Sequence, residues 1–415
     1  MKKALKTKLR GLSQTEFSRL RSMCQTAKNL YNQALYLIRQ EYAATGKHLN
    51  YYEMDRRMKT VTNLEGAVNY RLLKAGVSQQ ILRRLDKNYV AYFKALAAWK
   101  RDPSAFLGIP RPPFFLKDTA NLLYDSQRFR VKAGVVTIEK GLSFRLPAML
   151  QGKKLVQLEI LPRHDYFEVV YVYEDGIAKP ERACADVAMG IDLGVDNLAT
   201  CATTTGKSLI INGRPLKSIN QFYNKTKARL QSQLERRQHV KWSARLDRLT
   251  DRRNRRVKDY LHKASRQIVE FARREGVGRV IIGNVSRAQN GVNLGKRTNQ
   301  NFTQLPLGQL IDLLRYKFEG HGIPLTVTDE SYTSKASFVD DDVLPEKYEA
   351  GKTYTFSGKR IQRGLYRTKD GLLMNADLVG AYNIIRKVVR GFNFSELRKR
   401  IAGRFSPHCI VVTCQ

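Results

Sequence analysis

Gly190-Ile191-Asp192-Leu193-Gly194-Val195-Asp196-Asn197-Leu198-Ala199-Thr200 is the stretch on which the fold turns. Small and apolar residues (Val187, Ala188, Met189, Ile191) run up to an aspartate. A glycine turn follows, and a second strand-like run continues through Thr205. An apolar run bounded by glycines reads as a buried strand. An aspartate at its end sits at a sheet edge, half out of water, with its carboxylate toward a crevice. That setting suits a hard divalent cation, which takes oxygen ligands. A turn aspartate capping its own backbone would give the same local pattern.

A second acid stands in Asn375-Ala376-Asp377-Leu378-Val379-Gly380-Ala381-Tyr382-Asn383-Ile384-Ile385-Arg386-Lys387. Asp377 opens a helical pattern with Ala381, Ile384 and Ile385 on one apolar face. Capping and the helix dipole alone favour an acid there. An acid at a strand end and another at a distant helix start is, however, the layout of an RNase H-like nuclease. There the acids converge on two metal ions that clamp a scissile phosphate.

On these motifs the chain resembles the TnpB family, the transposon-encoded RNA-guided nucleases related to the type V CRISPR effectors. Tyr31-Asn32, Gln79-Gln80, Pro112-Pro113-Phe114, Asn299-Gln300-Asn301-Phe302 and Ser331-Tyr332-Thr333-Ser334-Lys335-Ala336-Ser337-Phe338 belong to the same resemblance, which covers nearly the whole chain. Their order and spacing together make it specific.

The resemblance implies an α+β multidomain fold. An OB-like β-barrel (the wedge domain, 1–12 and 103–185) would carry an inserted helical recognition lobe (13–102). An α/β RNase H-like (RuvC) nuclease domain would follow at 186–390, with a basic helical hairpin at 220–274 and a C-terminal tail at 391–415. The implied activity is RNA-guided cleavage of DNA beside a short target-adjacent motif, by Mg²⁺-dependent hydrolysis with two ions. The implied partners are a guide RNA from the transposon end and double-stranded target DNA. The protein would act as a monomer in its ribonucleoprotein, in the prokaryotic cytoplasm at the nucleoid.

Composition agrees with a polyanionic partner. The 415 residues carry 74 Lys plus Arg against 37 Asp plus Glu, a net charge of +37, with 42% apolar residues for real cores. Such an excess repels itself unless neutralised, and nucleic acid is the expected polyanion. The basic residues are spread along the chain, which disfavours a membrane surface. No apolar run is long enough to span a bilayer, and no secretory h-region follows Met1-Lys2-Lys3. Cys24, Cys184, Cys201, Cys409 and Cys414 show no zinc-finger spacing and read as free thiols.

In chain order, residues 2–10 read as a basic strand, and Ser13-Gln14-Thr15-Glu16 as a capping box opening a helix that Gly46 ends. A second strong helix is expected to begin after Ser78. The proline-rich stretch 103–113 breaks the helical period, and a meander of strands follows, turning at Arg163-His164-Asp165-Tyr166. The region 220–274 holds Arg236, Arg237, Arg245, Arg248, Arg252, Arg253, Arg255 and Arg256 among apolar residues at helical intervals. The sign is nearly uniform, so i,i+4 pairing with acids cannot account for it. A phosphate-tracking helical hairpin does. Residues 278–283 and 323–327 read as buried strands with a helix at 307–318 between them. The resemblance extends nucleic-acid contact to Gln79, Gln80, Lys359, Arg360 and Arg363.

Two departures from the family matter. Members mostly carry a catalytic glutamate at the end of the strand matching 280–282, where this chain has Gly283-Asn284. Members also commonly carry a four-cysteine zinc ribbon, but no cysteine lies between Cys201 and Cys409, so no structural zinc is expected there. The missing glutamate leaves two readings. The chain is a nuclease-dead RNA-guided DNA-binding repressor, or the acid has moved to Glu330, at the end of the strand expected to pair beside 280–282. Asp329 is the alternative, and only one of the two neighbours should point inward. Glu330 directly precedes the block at 331–338 and is favoured. Asp192, Glu330 and Asp377 are then the metal-binding catalytic set. A strand-transfer transposase is disfavoured, because no tyrosine with a His-hydrophobe-His constellation is found.

Overall fold

The structure, a computed structural model, describes residues 1–178, 180–181, 183, 186–284, 304–346, 351–401 and 408–412. The motif at 299–302, Cys184 and Cys414 lie outside the described residues. The chain forms two compact units, Met1–Ala178 and Lys179–Gln415, in a mixed α+β fold.

In the first unit, strand β1 (Lys2–Lys8) precedes helices α1 (Gln14–Thr45), α2 (Tyr51–Met58) and α3 (Ala75–Arg101). Ser13 caps α1 in a reciprocal box with Glu16, and Gly46 closes it in the left-handed conformation. Asn50 and Glu53 make a second such box on α2. The third helix starts at Ala75, a turn ahead of the expected Ser78, whose hydroxyl donates to the Tyr70 carbonyl at 2.8 Å inside the fold. Strands β2 (Leu122–Asp125), β3 (Arg130–Lys132), β4 (Val135–Glu139), β5 (Leu142–Arg145), β6 (Lys154–Pro162) and β7 (Phe167–Glu174) follow. Leu20, Leu30 and Leu35 of α1, Leu82 and Leu85 of α3, and Tyr124, Leu158 and Tyr171 of the strands belong to one buried cluster.

The expected barrel is corrected. Among the described residues the strands make an open four-stranded sheet, β1-β7-β6-β2, and a separate three-stranded sheet, β3-β4-β5. Closure needs hydrogen-bonded register to run right round the circle. The strands available to complete it are three to five residues long and pair among themselves or with β6 only.

The second unit is built on a six-stranded sheet. Its strands are β8 (Val187–Leu193), β9 (Asn197–Thr203), β10 (Ser208–Asn212), β11 (Val277–Gly283), β12 (Leu325–Thr328) and β16 (His408–Ile410), in the order β12-β11-β8-β9-β10-β16. The first three form an antiparallel meander, and β11 and β12 add in parallel beyond β8. Helices α4 (Arg214–Gln238) and α5 (Ala244–Arg274) fill the connection from β10 to β11, and α6 (Leu307–Glu319) leads into β12. A small sheet of β13 (Lys359–Gln362), β14 (Leu365–Arg367) and β15 (Leu373–Asn375) precedes α7 (Ala376–Val388) and α8 (Ser395–Ile401).

Side chains alternate along a strand, and β8 separates two cores. Met189, Ile191 and Leu193 pack with α5 and α6, while Ala188 packs with Ala381, Ile384 and Ile385 of α7. Asp192 shares the parity of Ala188 and so faces α7. Helix and strand come into direct contact through glycine. A Cβ on Gly190 would collide with the Ala381 carbonyl oxygen, and one on Gly380 would stand 2.9 Å from Asp192 Oδ2.

The segment between β12 and α7 is tied by two carboxylates. Asp342 accepts from the Ser337 amide at 2.6 Å and the Ser357 hydroxyl at 2.6 Å. Asp340 accepts from the Ser337 hydroxyl at 2.5 Å and the Lys369 amide at 2.9 Å. Three points distant in sequence are thereby held together. Among the described residues no helix is long and apolar enough to cross a membrane.

Candidate active site

A cavity of about 560 Å³ opens at the carboxyl end of β8. Asp192, Asp196, Asn197, Arg214, Glu330, Arg360, Arg363 and Asp377 are among its lining residues. Asp192 reaches it from the last turn of β8, and Asp377 from the first turn of α7, which Asn375 caps through the amides of Asp377 and Leu378 at 3.0 and 3.1 Å.

Glu330 arrives through strand register. Strand β11 pairs with β12 so that Gly283 lies opposite Thr328, and the Asn284 amide donates to the Thr328 carbonyl at 2.7 Å. On its other side Ile282 pairs with Ile191, bringing Gly283 level with Asp192. Two residues beyond Thr328, the Glu330 side chain folds back over Gly283. A Cβ on that glycine would stand 2.5 Å from Glu330 Oε2 and 3.2 Å from Glu330 Cβ. The space a side chain at 283 would use is filled by the carboxylate of the neighbouring strand. Asp329 is engaged elsewhere, accepting from the Ser331 amide at 2.9 Å and pairing with Lys387 at 3.4 Å.

Electrostatics reflect crowded acids. Enclosure by protein raises the Asp192 pKa well above the usual carboxylate range, and the charges of Asp377 and Glu330 push it the same way; Arg360 opposes them. Glu330 is pushed up to about 7 by burial and by Asp329, against the pull of Lys387. Burial also raises Asp196, but the Lys217 hydrogen bond and the charges of Arg363, Lys217 and Arg214 outweigh it and leave the group below its ordinary value.

Three carboxylates lining one cavity are the hard oxygen donors that Mg²⁺ takes alongside substrate oxygens, and their mutual repulsion is what a cation relieves. In this structure other groups hold one of them. Arg360 Nη2 is 2.7 Å from Asp377 Oδ1, and Asn197 Nδ2 donates to Asp377 Oδ2 at 2.8 Å. Three residues on, Arg363 Nη2 is 2.7 Å from Asp196 Oδ2, and Lys217 pairs with the other oxygen of that acid at 2.5 Å. Among the described residues no three His, Cys, Asp or Glu side chains are disposed as a ready metal cage.

The predicted nucleic-acid residues are dispersed. Arg236 and Arg237 are exposed at the end of α4, and Arg245, Arg252, Arg255 and Arg256 are exposed on α5. Arg253 turns inward, donating to Asn220 Oδ1 and the Gln304 carbonyl at 2.8 Å each. Gln79 and Gln80 are half-buried on α3, and Gln80 lines a cleft in the first unit with Tyr31, Arg84, Asn88 and Asn121. Lys359, Arg360 and Arg363 are exposed on or beside the hairpin of β13 and β14, and the two arginines fall on acids. Asn197, Asp196 and Lys217 were not singled out by sequence. Asn197 and Asp196 stand in the Gly190–Thr200 stretch itself, but their partners lie at distant positions that local pattern does not reach.

Comparison with known proteins finds partial matches to this chain. A family model described as "Probable transposase" (OrfB_IS605) matches residues 169–289, and a second, "Cas12f1-like, TNB domain", matches 308–384. These segments include Asp192, Glu330 and Asp377. A TnpB-like protein, ORF457 of Acidianus two-tailed virus, is 24% identical over 235 residues. The match covers 54% of this chain and 46% of that relative, so the chain aligns with about half its length. In these matched segments the chain is similar to TnpB-like and Cas12f1-like proteins. Among solved structures, the mini-RNA-guided endonuclease CRISPR-Cas_phi3 aligns over 95% of this chain and 93% of its own, at 11% identity and TM-score 0.47. A Cas12f1-sgRNA-target DNA complex aligns over 92% and 98%, at 17% identity and TM-score 0.35.

Proposed function

We propose that the chain is an RNA-guided DNA endonuclease whose second unit is an RNase H-like domain, with Asp192, Glu330 and Asp377 as its metal-binding carboxylates. The observation that carries this is the Glu330 carboxylate lying over Gly283, beside Asp192, in the cavity that Asp377 also lines. Bound there, Mg²⁺ would supply an activated water and stabilise the leaving oxygen. The chain's own residues hold the reacting strand and exclude competing contacts. Asn197 fixes the Asp377 carboxylate, Gly190 and Gly380 let α7 lie close enough to bring it to Asp192, and the exposed arginines of α4 and α5 take phosphates. The helices of the first unit are read as the recognition lobe, and the guide and target as RNA and duplex DNA cut next to a target-adjacent motif.

A nuclease-dead, RNA-guided repressor is the second reading. It is favoured by the engagement of both Asp377 oxygens by Arg360 and Asn197. Purified protein with its copurifying RNA, given a matched duplex and Mg²⁺, decides between them. Asp192→Ala, Asp377→Ala and Glu330→Gln should each abolish cleavage and leave target binding intact, while Asp329→Asn keeps activity. A parent protein that binds its target and never cuts supports the repressor.

A further inference from the structure

Beneath α7 the large sheet buries a hydroxyl that nothing satisfies. Thr200 on β9 is 1% exposed, and its Oγ1 is sealed from solvent with no hydrogen-bond partner among the described residues. Such groups are rare in folded proteins and cost stability. Valine has the same shape and would fill the position without that cost, so packing does not account for the hydroxyl.

Strand register says what the hydroxyl stands beside. Asp192 lies directly opposite Thr200 in the antiparallel ladder, and Gly190 lies opposite Ala202. Ala188 and Ala202 pack in the core under α7, whereas Ala199 and Cys201 pack in the core across the sheet. Side chains alternate along a strand, so Thr200 and Asp192 stand side by side on the α7 face. On its other flank Thr200 pairs with Ile210, which is apolar and buried. The polar side chain level with the hydroxyl is therefore Asp192. Opposed residues have Cβ atoms about 4.5–5.5 Å apart, a gap that a hydroxyl and a carboxylate close when they turn toward each other. The neighbouring acids already have donors. Asn197 and Arg360 hold Asp377, and Lys217 and Arg363 hold Asp196. No side chain among the described residues donates to Asp192, which is enclosed by protein with the charges of Asp377 and Glu330 close by. A carboxylate that ligates a cation is ordinarily itself hydrogen-bonded, which fixes its orientation.

We propose that Thr200 is a positioning residue for Asp192, its hydroxyl donating to the carboxylate oxygen turned away from a bound metal ion. This rests on the reading of Asp192 as a metal ligand. The test uses the full-length protein in three variants. Thr200→Val keeps the shape and removes the donor, Thr200→Ser keeps the donor, and Asp192→Ala removes the acid itself. Melting of the metal-free protein and calorimetric titration with Mn²⁺ alone are the readouts.

Metal-free Thr200→Val should melt about 2–4 °C above the parent, because an unsatisfied buried group is gone. The same variant should bind Mn²⁺ about ten- to one-hundred-fold more weakly, and Thr200→Ser should stay close to the parent affinity. A packing role would move stability and affinity in the same direction, so the opposed signs identify positioning. A lower metal-free melting temperature for Thr200→Val overturns the assignment, as does Thr200→Ser binding Mn²⁺ as weakly as Thr200→Val. If Asp192→Ala binds Mn²⁺ weakly while Thr200→Val equals the parent, the place given to Thr200 falls alone. If Asp192→Ala itself equals the parent, the reading of Asp192 as a ligand falls with it.

Discussion

Gly283→Ala places a single methyl group in the space that the Glu330 carboxylate fills. That carbon would stand 2.5 Å from Glu330 Oε2, 3.0 Å from Ile384 Cδ1 and 3.2 Å from Glu330 Cβ. Ordinary contact is about 3.5 Å, so something retreats by roughly 1 Å. Ile384 is fully buried on α7 and moves only with the helix, whereas Glu330 lines an open cavity and can swing away. A displacement of about 1 Å at a reacting group costs on the order of 10²-fold in rate. The fold loses less, near the lower end of the roughly 1–3 kcal/mol typical of overpacking, because the displaced group is the end of a flexible chain. The assay is single-turnover cleavage of a guide-matched duplex at saturating ribonucleoprotein, with target binding and melting temperature measured alongside. Cleavage should fall about a hundredfold with binding unchanged. The pair Gly283→Glu with Glu330→Ala returns a carboxylate to the same space from β11 and should cut faster than Glu330→Ala alone. Parental cleavage by a folded Gly283→Ala protein refutes the place given to Glu330 among the reacting groups.

Metal-free protein should lose stability as pH rises from about 4.5 to 7, because folded Glu330, held at about 7 against an ordinary 4.5, keeps a proton that the unfolded chain has released. The fall is on the order of 3 kcal/mol and levels off above that window; equal melting-temperature profiles for parent and Glu330→Gln would count against it. Arg360→Ala removes the guanidinium from Asp377 and should tighten Mn²⁺ binding in calorimetry by up to about fivefold, the range of a partly exposed pair; an unchanged or weaker affinity contradicts this. The logarithm of the RNA association constant should fall steeply and linearly with the logarithm of salt concentration, and a nearly flat line would sever the link between the +37 charge and a polyanionic partner.

Features set by neighbours in sequence were legible before the structure. The capping box at Ser13, the glycine stop at Gly46 and the helical hairpin around Trp242 follow from local chemistry. The strand ending at Asp192 was readable for the same reason. The second box, at Asn50 and Glu53, carried an equally plain signal, but α2 has only eight residues and too little periodicity to stand out. The barrel failed because closure depends on which edges pair, and edge pairing is not written in any one strand. The partners of Asp377 and Asp196 were hidden for a related reason. Arg360 and Arg363 sit among basic residues with no local mark distinguishing those that will meet an acid, and β13 and β14 bring them to the cavity only in the folded chain.

The contact of α7 with β8 through Gly190 and Gly380 also sets a timetable. Asp192 leaves the ribosome long before Asp377, and at roughly 5–20 residues per second the interval is on the order of ten to forty seconds. During that time the strand end has its aspartate but not the helix that completes the acid cluster. A nascent chain therefore lacks the complete set of three carboxylates until α7 docks on β8.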